Sequence, residues 1–320
     1  MTKKVIYLGI FVWLGITCSL TATVQASAPQ QHSQAPGFYR LYVGNIEVVA
    51  LNDGTFGMPV SKLLKDISAT QLSQALTQAF LSDPVTASVN GFLINTGTKL
   101  VLIDTGIGAN SGATVGHLSQ NLAQAGYKPE QVDEIYITHM HGDHIGGLSV
   151  KGKPQFPNAI VKVAKSEADY WLNPTQRDAA PEEAKGSFTN AMETFAPYQA
   201  LHHFATFADA GELVPGIQAI ATHGHTPGHT IYEVSSQGQS LIIWGDLMHV
   251  AAVQFTDPSV TIGFDSDRPQ ALAQRLRIYA LAAKQGSLVA GAHLPFPGIG
   301  HIRANGAAYE YVPVNYSTQF

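Results

Sequence analysis

Apolar and polar residues repeat along this chain with two different periods. In the first third, alternating apolar runs surround Gly44–Asn45 and again Gly97–Thr98, which predicts two β-hairpins, "FYRLYVGNIEVVALNDG" and "SVNGFLINTGTKLVLIDTG". Farther along, short β-branched runs alternate with segments of helical period, of which "RPQALAQRLRIYALAAKQG" is the longest. This order predicts an α+β protein in which two sheets lie face to face with helices outside them, a four-layer αββα sandwich.

The N-terminal residues follow another pattern. Lys3 and Lys4 precede an apolar stretch of about 16 residues, and small residues follow as far as Ala26. This pattern is typical of a secretory signal peptide, and the stretch is shorter than the roughly 20 residues that span a bilayer. We predict a signal peptide over residues 1–26, cleaved after Ala26 or Ala28, a flexible segment over 27–37, and one domain over 38–320. The protein is therefore expected in the periplasm or outside the cell.

Composition agrees with that location and excludes some partners. The sole cysteine, Cys18, lies in the predicted signal peptide, so the mature protein would have no disulfide. Removal of residues 1–26 takes away two of the 18 basic side chains and no acid, leaving 16 against 23 and a net charge of −7. A mildly acidic surface does not favour nucleic acid, and no membrane association is expected after cleavage. The sequence leaves a homodimer open.

The closest cluster of potential metal ligands follows the apolar run "EIYIT", in "THMHGDHIGGL". This turn brings His139, His141, Asp143 and His144 within six positions, beside glycines that let the backbone turn sharply. Neutral imidazole and carboxylate are the ligands that suit zinc and its neighbours in the transition series. The motif therefore predicts a metal site.

Three other predicted strands carry candidate ligands where they end. "ATHGHTPGH" offers His223, His225 and His229, "LIIWGD" ends at Asp246, and "LVAGAH" ends at His293. Loops at strand ends are where a rigid scaffold commonly builds a site. Among the three neighbouring histidines we favour His229, because it follows Pro-Gly and opens the strand that leads to Asp246. His223 and His225 stay as alternatives.

In this order and spacing, the motifs from "VLIDTG" to His293 resemble those of the metallo-β-lactamase fold superfamily, over residues 38–301. "HLPFPGIGH", "FDSD" and the secretory start are similar to the branch that contains methyl parathion hydrolase and related lactonases. The resemblance implies two zinc ions per chain, or other divalent transition metals, with a bridging hydroxide. Its implied ligands are His139, His141 and His229 for the first ion, Asp143, His144 and His293 for the second, and Asp246 between them.

The residue types support two ions independently. Seven nitrogen and oxygen ligands are too many for one four-coordinate zinc, but they suit a pair about 3.5–4 Å apart. Two cations would supply hydroxide at neutral pH and polarise the oxygen of the group under attack. Asp143 and Asp246 are accordingly the predicted catalytic carboxylates, while Asp104 and His249 are expected to orient the ligands from behind.

The resemblance implies a secreted hydrolase whose substrate is a small, neutral or apolar lactone, ester or phosphotriester. Trp171, Phe188, Phe264 and Phe296 are the aromatic residues expected to line its pocket. Two alternatives stay open. A β-lactamase-type hydrolase is disfavoured because such enzymes usually lack the bridging aspartate. A non-catalytic periplasmic zinc-binding protein is disfavoured because a structural site is closed by four ligands and needs no open position.

Overall fold

The structure is a computed structural model that describes residues 1–2, 28–109 and 112–319. The chain divides into two units, Met1–Ala35 and Pro36–Phe320. Nearly all of the predicted signal peptide, residues 1–26, lies outside the described residues, and residues 28–35 carry neither helix nor strand. Among the described residues, none of the helices combines the length and the hydropathy needed to cross a bilayer.

The second unit contains all the regular elements that the structure describes. Its strands are, in chain order, β1 (Phe38–Val43), β2 (Ile46–Met58), β3 (Leu64–Lys65), β4 (Val85–Asn95), β5 (Leu100–Ile103), β6 (Glu134–Tyr136), β7 (Ser149–Val150), β8 (Lys153–Pro154), β9 (Ile160–Ala164), β10 (Phe204–Phe207), β11 (Gly211–Val214), β12 (Ile217–Ala221), β13 (Thr230–Ser236), β14 (Gln239–Ile243), β15 (Thr261–Ile262), β16 (Leu288–Ala290), β17 (Ile299–Asn305) and β18 (Ala308–Pro313). Its helices are α1 (Val60–Leu63), α2 (Ala69–Gln78), α3 (Leu118–Gln124), α4 (Gly142–Ile145), α5 (Lys165–Trp171), α6 (Pro174–Ala179), α7 (Glu182–Ala200), α8 (Ala251–Gln254) and α9 (Arg268–Gln285), with a 3-10 turn at Pro129–Gln131.

Two seven-stranded sheets form the centre of this unit. The first has the order β1-β2-β4-β5-β6-β9-β10, antiparallel from β1 to β5 and parallel from β5 to β10. The second has the order β11-β12-β13-β14-β16-β17-β18, in which only the pair β14 and β16 is parallel. Both predicted hairpins are present, as β1–β2 and β4–β5.

The strands bury side chains on both faces because a layer covers each face. Along β2, Val48 and Ala50 point into the core between the sheets, whereas Val49 and Leu51 pack under helices on the outer face. Helices α3, α5 and α7 cover the first sheet, and α9 packs on the second sheet through Ile278. The predicted α+β class and four-layer αββα sandwich are confirmed.

An insertion between β2 and β4 departs from the predicted pattern. Residues 60–83 hold α1, β3 and α2, and the apolar face of α2, with Leu72 and Leu76, packs in a separate cluster that also contains Val253. The strand β3 pairs with β15, which precedes α9. The insertion thereby fixes the end of β2 close to the loop that follows β14, where a predicted ligand lies. The hairpin β17–β18 was also outside the sequence-based prediction.

Candidate metal centre

Candidate ligands collect at one end of the two sheets. Asp104 directly follows β5, and His139 comes three residues after β6. In the second sheet, Asp246 follows β14 and His293 follows β16, each by three residues. Since β5 and β6 are parallel, as are β14 and β16, their carboxyl ends open toward a shared edge.

A first ligand group consists of His139, His141, His225 and Asp246, whose candidate ligand atoms lie within 4.8 Å of one another. The Nδ1 atom of His141 lies 3.0 Å from His139 Nε2 and 3.1 Å from His225 Nε2. The Oδ2 atom of Asp246 lies 3.6 Å from His139 Nε2 and 3.4 Å from His225 Nε2. Three imidazole nitrogens and one carboxylate oxygen therefore converge on one point.

A second ligand group consists of Asp143, His144, His293 and again Asp246. Here the other oxygen of Asp246, Oδ1, lies 3.3 Å from His144 Nε2 and 3.4 Å from His293 Nε2. The Oδ2 atom of Asp143 is 3.3 Å from His293 Nε2 and 3.7 Å from His144 Nε2. Asp246 thus presents one oxygen to each group, which is the arrangement of a bridging carboxylate.

The structure places His225, and not the predicted ligand His229, in the first ligand group. Both ring nitrogens of His229 are already used: Nδ1 lies 2.8 Å from the Thr222 hydroxyl, and Nε2 accepts from the backbone N–H of Asp246 at 3.1 Å. Its carbonyl also accepts from the Thr222 N–H at 2.9 Å, which extends the pairing of β12 with β13. His229 is therefore held inside the sheet end and positions Asp246, while His225 occupies the loop.

Asp104 lies behind the second ligand group. Its carboxylate accepts hydrogen bonds from the backbone N–H and the hydroxyl of Thr138, each at 2.8 Å, and lies 2.8 Å from His144 Nδ1. The backbone of Asp104 is in the left-handed region, with φ of 58°. A carboxylate behind an imidazole fixes its tautomer and orientation, so Nε2 of His144 is directed toward Asp246.

Two further contacts of this kind were not predicted. Nδ1 of His225 lies 2.8 Å from the buried carboxylate of Asp265, and Nδ1 of His293 lies 2.9 Å from the carbonyl of Ser88. Asp265 belongs to "FDSD", so the sequence offered a signal for it. No local pattern marks Ser88, because its contact depends on how β4 lies against the loop after β16.

Glu167 is a buried carboxylate that no sequence motif singled out. It accepts hydrogen bonds from the Met140 N–H at 2.8 Å, the Thr226 hydroxyl at 2.7 Å and the Gly228 N–H at 2.9 Å. Burial raises its pKa, although these three donors act against that rise. Met140 lies between two histidines of the first group and Thr226 follows the third, so Glu167 joins the two loops that supply them.

Electrostatics show that the centre requires positive charge. Burial would raise the pKa of the Asp246 carboxyl, but the surrounding histidines, His144 foremost, hold it well below its usual range. Burial would lower the pKa of His225, yet its hydrogen bonds to Asp246 and Asp265 raise it to about 9. Against the same effect of burial, Asp246 helps to raise the pKa of His293 to about 10. Protonated imidazoles thus balance the carboxylates.

The donor set fits divalent metal ions. Among the described residues, His144 Nε2 and Asp246 Oδ1 are buried atoms without a hydrogen-bond partner, although both face the centre of the second group. Such atoms are rare in folded proteins and indicate a missing partner. Imidazole and carboxylate at these positions match the ligands of zinc, and two groups that share one carboxylate match a pair of ions.

His249 lies at the rim of the centre, beside the ligand groups. Its Nε2 lies 3.1 Å from Asp246 Oδ2, and its ring stacks on that of His293 at 5.4 Å between centroids. The side chain is buried among the ligands but also borders the cavity above them.

A cavity of about 370 Å³ opens over the two ligand groups. Phe56, Met58, Ile107 and Phe264 form its apolar walls, while His141, Asp143, Asp246, His249 and His293 form its floor. Phe264 is thus the predicted aromatic residue that lines it. Phe56 and Met58 come from the end of β2, which the insertion at 60–83 holds in place, so no local pattern could identify them.

The other three predicted pocket residues do not line this cavity. Trp171 and Phe188 are buried in the core under the first sheet, with ring centroids 4.6 Å apart, and Trp171 meets the edge of the His141 ring at 5.5 Å. Phe296 packs against the core between the sheets. These three aromatic side chains therefore pack in the core behind the ligands and do not contact a substrate in this cavity.

Comparison with known proteins agrees with this fold and centre. The sequence profile of the metallo-beta-lactamase superfamily matches residues 85–293, which is more than half of the chain and includes both ligand groups. The chain belongs to the metallo-beta-lactamase superfamily, as the resemblance of its motifs implied.

Individual relatives are similar over different shares of the chain. The crystal structure of AbOPH, a hydrolase in the beta lactamase superfamily, has 39% sequence identity and a TM-score of 0.85, covering 89% of this chain and all of that one. AidC, a dizinc quorum-quenching lactonase in complex with the product N-hexanoyl-L-homoserine, has 27% identity and a TM-score of 0.82, covering 88% of this chain and 99% of its own.

Two Bacillus proteins match by sequence over a shorter region. An N-acyl homoserine lactonase of Bacillus cereus is 25% identical over 163 residues, 51% of this chain and 57% of its own length. The uncharacterized protein YobT of Bacillus subtilis is 33% identical over 148 residues, 45% of this chain and 56% of its own length. The chain thus spans little more than half the length of these two relatives.

Proposed function

We propose that this chain is a zinc-dependent hydrolase that cleaves neutral lactones and aryl esters, with phosphotriesters as secondary substrates. Residues 1–26 would direct it to the periplasm or out of the cell and then be removed. The observation that carries the proposal is the pair of ligand groups that share Asp246 beneath a largely apolar cavity.

The proposed ligands divide between two ions. His139, His141 and His225 would hold the first, Asp143, His144 and His293 the second, and Asp246 would give one carboxylate oxygen to each. Two zinc ions bound there would supply an activated water molecule and polarise the oxygen of the substrate group under attack.

The residues around the centre prepare it for that chemistry. Asp104 and Asp265 hold the rear nitrogens of His144 and His225, so the facing nitrogens stay directed at Asp246. His249 borders the cavity, and its buried Nε2 atom lies 3.1 Å from Asp246 Oδ2, so this histidine helps to position the shared carboxylate. Preorganised groups of this kind need little rearrangement during the reaction.

The cavity favours an uncharged substrate. Phe56, Met58 and Phe264 exclude water and bind hydrocarbon, and no lysine or arginine is among the described residues that line the cavity. A β-lactam carries a carboxylate that would find no cationic side chain there. The lactonases among the relatives, including AidC, support a lactone as the reacting group.

A hydrolysis screen tests the proposal. The secreted protein, loaded with zinc, should be assayed with γ-lactones, aryl esters, a phosphotriester and a cephalosporin. We expect turnover of lactones or aryl esters, weaker turnover of the phosphotriester and little of the cephalosporin. A cephalosporin cleaved roughly 100-fold more efficiently than all the others, a difference of about 2.7 kcal/mol in barrier, would overturn the substrate class. N-terminal sequencing of the secreted protein, expected to start at residue 27 or 29, tests the location.

A further inference from the structure

Strand β2 contains a β-bulge between its hairpin end and its cavity-lining end. Asn52 lies opposite Asn90 of β4. Gly54 lies opposite the next residue, Val89, so Asp53 is the extra residue of the bulge. Gly54 has φ of 141°, and a Cβ atom there would lie 2.0 Å from a backbone oxygen of the segment between β5 and α3. The bulge thus brings β2 into direct contact with that segment.

The buried carboxylate of Asp53 holds the same segment in place. Its Oδ2 atom accepts hydrogen bonds from the backbone N–H groups of Ile107 at 2.9 Å and Gly116 at 3.1 Å. Its Oδ1 atom accepts from the N–H of Leu118 at 3.0 Å, where α3 begins. The described residues between β5 and α3 form neither helix nor strand, so Asp53 takes the place of a strand partner for them.

This segment in turn packs behind α4, the short helix that carries two ligands of the second group. The N–H and the hydroxyl of Thr105 both donate to the carbonyl of His144, at 2.7 and 3.0 Å. The two backbones are in such close contact that a Cβ atom on Gly146 would lie 1.9 Å from the carbonyl oxygen of Ile107. A shift of the segment would therefore move α4 and its ligands.

The residue opposite the bulge holds the remaining histidine of the second group. The buried amide of Asn90 donates through Nδ2 to the carbonyls of Gly291 at 3.1 Å and Leu294 at 2.8 Å. The backbone N–H of Asn90 donates to the carbonyl of Ala292 at 2.9 Å. These three carbonyls lie on both sides of His293 along the chain. Asn90 thus fixes the loop that presents His293.

Asn52 joins these two supports, because its Nδ2 atom donates to Asn90 Oδ1 at 3.0 Å and its chain neighbour is Asp53. We propose that Asn52, Asp53 and Asn90, the bulge cluster, position the second ligand group by setting the distance between α4 and His293. The three are positioning residues that act through the backbone. The inference rests on the proposed function for the division of the ligands between two ions.

The bond lengths of a metal site make this distance critical. Zinc–nitrogen bonds are about 2.0–2.1 Å long and tolerate little variation, so ligands from separate elements bind tightly only if those elements are held in register. In the second group, His144 and His293 come from different sheets. Loss of the bulge cluster should therefore weaken the second ion and spare the first, which Glu167 supports from the other side.

Substitutions on one strand test the cluster. Asn90→Leu keeps a similar size but removes both donors, and it should lower the affinity of the second ion about 10-fold to 100-fold while changing that of the first less than about threefold. Asp53→Asn is the milder variant, expected to lower the affinity of the second ion about 10-fold. Asn95→Leu is the matched control. Asn95 lies at the opposite end of β4, where its side chain accepts from the Gly97 N–H at 2.9 Å and donates to the Tyr127 hydroxyl at 3.1 Å. This control should change neither affinity by more than about threefold.

Metal binding is measured without any substrate. Competition with a chromophoric chelator gives the two zinc affinities, and circular dichroism confirms folding. Visible spectra of the cobalt form assign each ion, with Asp143→Ala and His225→Ala as references that each lack one ligand of a single group.

Selective loss of the second ion in Asn90→Leu and Asp53→Asn supports the positioning role, even if no lactone is turned over. Equal weakening of both ions, or folded variants that bind the second ion as tightly as Asn95→Leu does, would overturn it. A wild-type protein that binds two ions but cleaves none of the proposed substrates would contradict the proposed function and leave this inference standing.

Discussion

The two ligand groups around Asp246 use the same residue types but are held by different means. In the first, His139 and His141 come from one loop and His225 from another, and the buried carboxylate of Glu167 joins these loops by three hydrogen bonds. In the second, Asp143 and His144 are neighbours on the short helix α4 and His293 follows β16, with Asp104 and the backbone of Ser88 behind the two histidines.

The two ligand groups also differ in charge and in exposure to the cavity. The second group has Asp143 in addition to its share of Asp246, and the Asp143 side chain is 27% exposed at the cavity floor. The first group has three imidazoles and only a share of Asp246, with His139 and His225 almost fully buried. The second group therefore relies on charge more than the first does, and substitutions should affect the two ions unequally.

Asp246→Asn should have the largest effect, because this residue serves both groups. An amide offers one oxygen and no charge, so we expect metal content to fall from two ions per chain to one or less and activity to fall by roughly 1,000-fold or more. Elemental analysis, kinetics and circular dichroism measure metal, activity and folding. Asp257→Asn, on an exposed carboxylate that contacts Ser259, is the control. A folded variant with two ions and full activity would contradict the bridging role.

His225→Ala and His229→Ala should separate a ligand from a residue that supports the ligands. Loss of His225 should remove the ion of the first group and lower activity by about 1,000-fold, and it should also destabilise the metal-free protein, because the buried carboxylate of Asp265 loses its partner. Loss of His229 should retain more metal but lower the free energy of unfolding by about 2 kcal/mol, because it leaves a buried gap and frees the Thr222 hydroxyl. Metal content distinguishes the two variants, because His225→Ala should lose an ion that His229→Ala retains, and the reverse result would restore His229 as ligand.

Local patterns predicted what neighbouring residues determine by themselves. The apolar runs of β2 and β5 predicted strands in two hairpins. The close spacing in "HMHGDH" predicted that its histidines and aspartate lie in one turn. The position of Asp246 and His293 followed from strands that end directly before them. These features needed no knowledge of distant contacts.

Features that depend on distant contacts were missed or misplaced. In sequence, His225 and His229 are equivalent candidates. His229 is the one that extends the pairing of β12 with β13, because its carbonyl accepts from Thr222 and its ring accepts from the backbone N–H of Asp246. Phe56 reaches the cavity because an insertion holds the end of β2, whereas Phe188 is taken into the core by the register of α7. The sequence alone does not distinguish an apolar residue that lines a cavity from one that packs in the core.

Glu167→Gln should have an effect of intermediate size, because Glu167 supports only the first ligand group. A glutamine has one oxygen for the three donors, and its NH₂ would face an N–H, so the two loops should separate slightly and the affinity of the first ion should fall about 10-fold to 100-fold. Asp104→Asn is the matched change for the second group. Cobalt substitution followed by visible spectroscopy reports the two sites separately. Loss of the same ion in both variants would show that the groups are not held independently.

The smallest effect concerns pH and the metal-free protein. The pKa values of His225 and His293 are raised to about 9 and about 10, above the ordinary value of 6.5, so their pairing with carboxylates stabilises the fold fully below pH 6.5. That stabilisation is lost as pH rises through the folded-state values. The free energy of unfolding should therefore decline between pH 7 and 9.

Two other histidines, His139 and His141, lower the stability of the metal-free protein at low pH. Burial and neighbouring histidines lower the pKa of His141 to about 3 and that of His139 well below 6.5, so the unfolded chain binds protons there that the folded chain does not. Stability should thus also fall as pH drops below 6.5, which places the maximum for the metal-free protein between about pH 6 and 7. Urea titrations across pH 5–9 measure this curve. With zinc bound, the imidazoles of both groups hold ions in place of protons, so the decline above pH 7 should disappear; a decline of equal slope with and without zinc would show that these histidines are not the metal ligands.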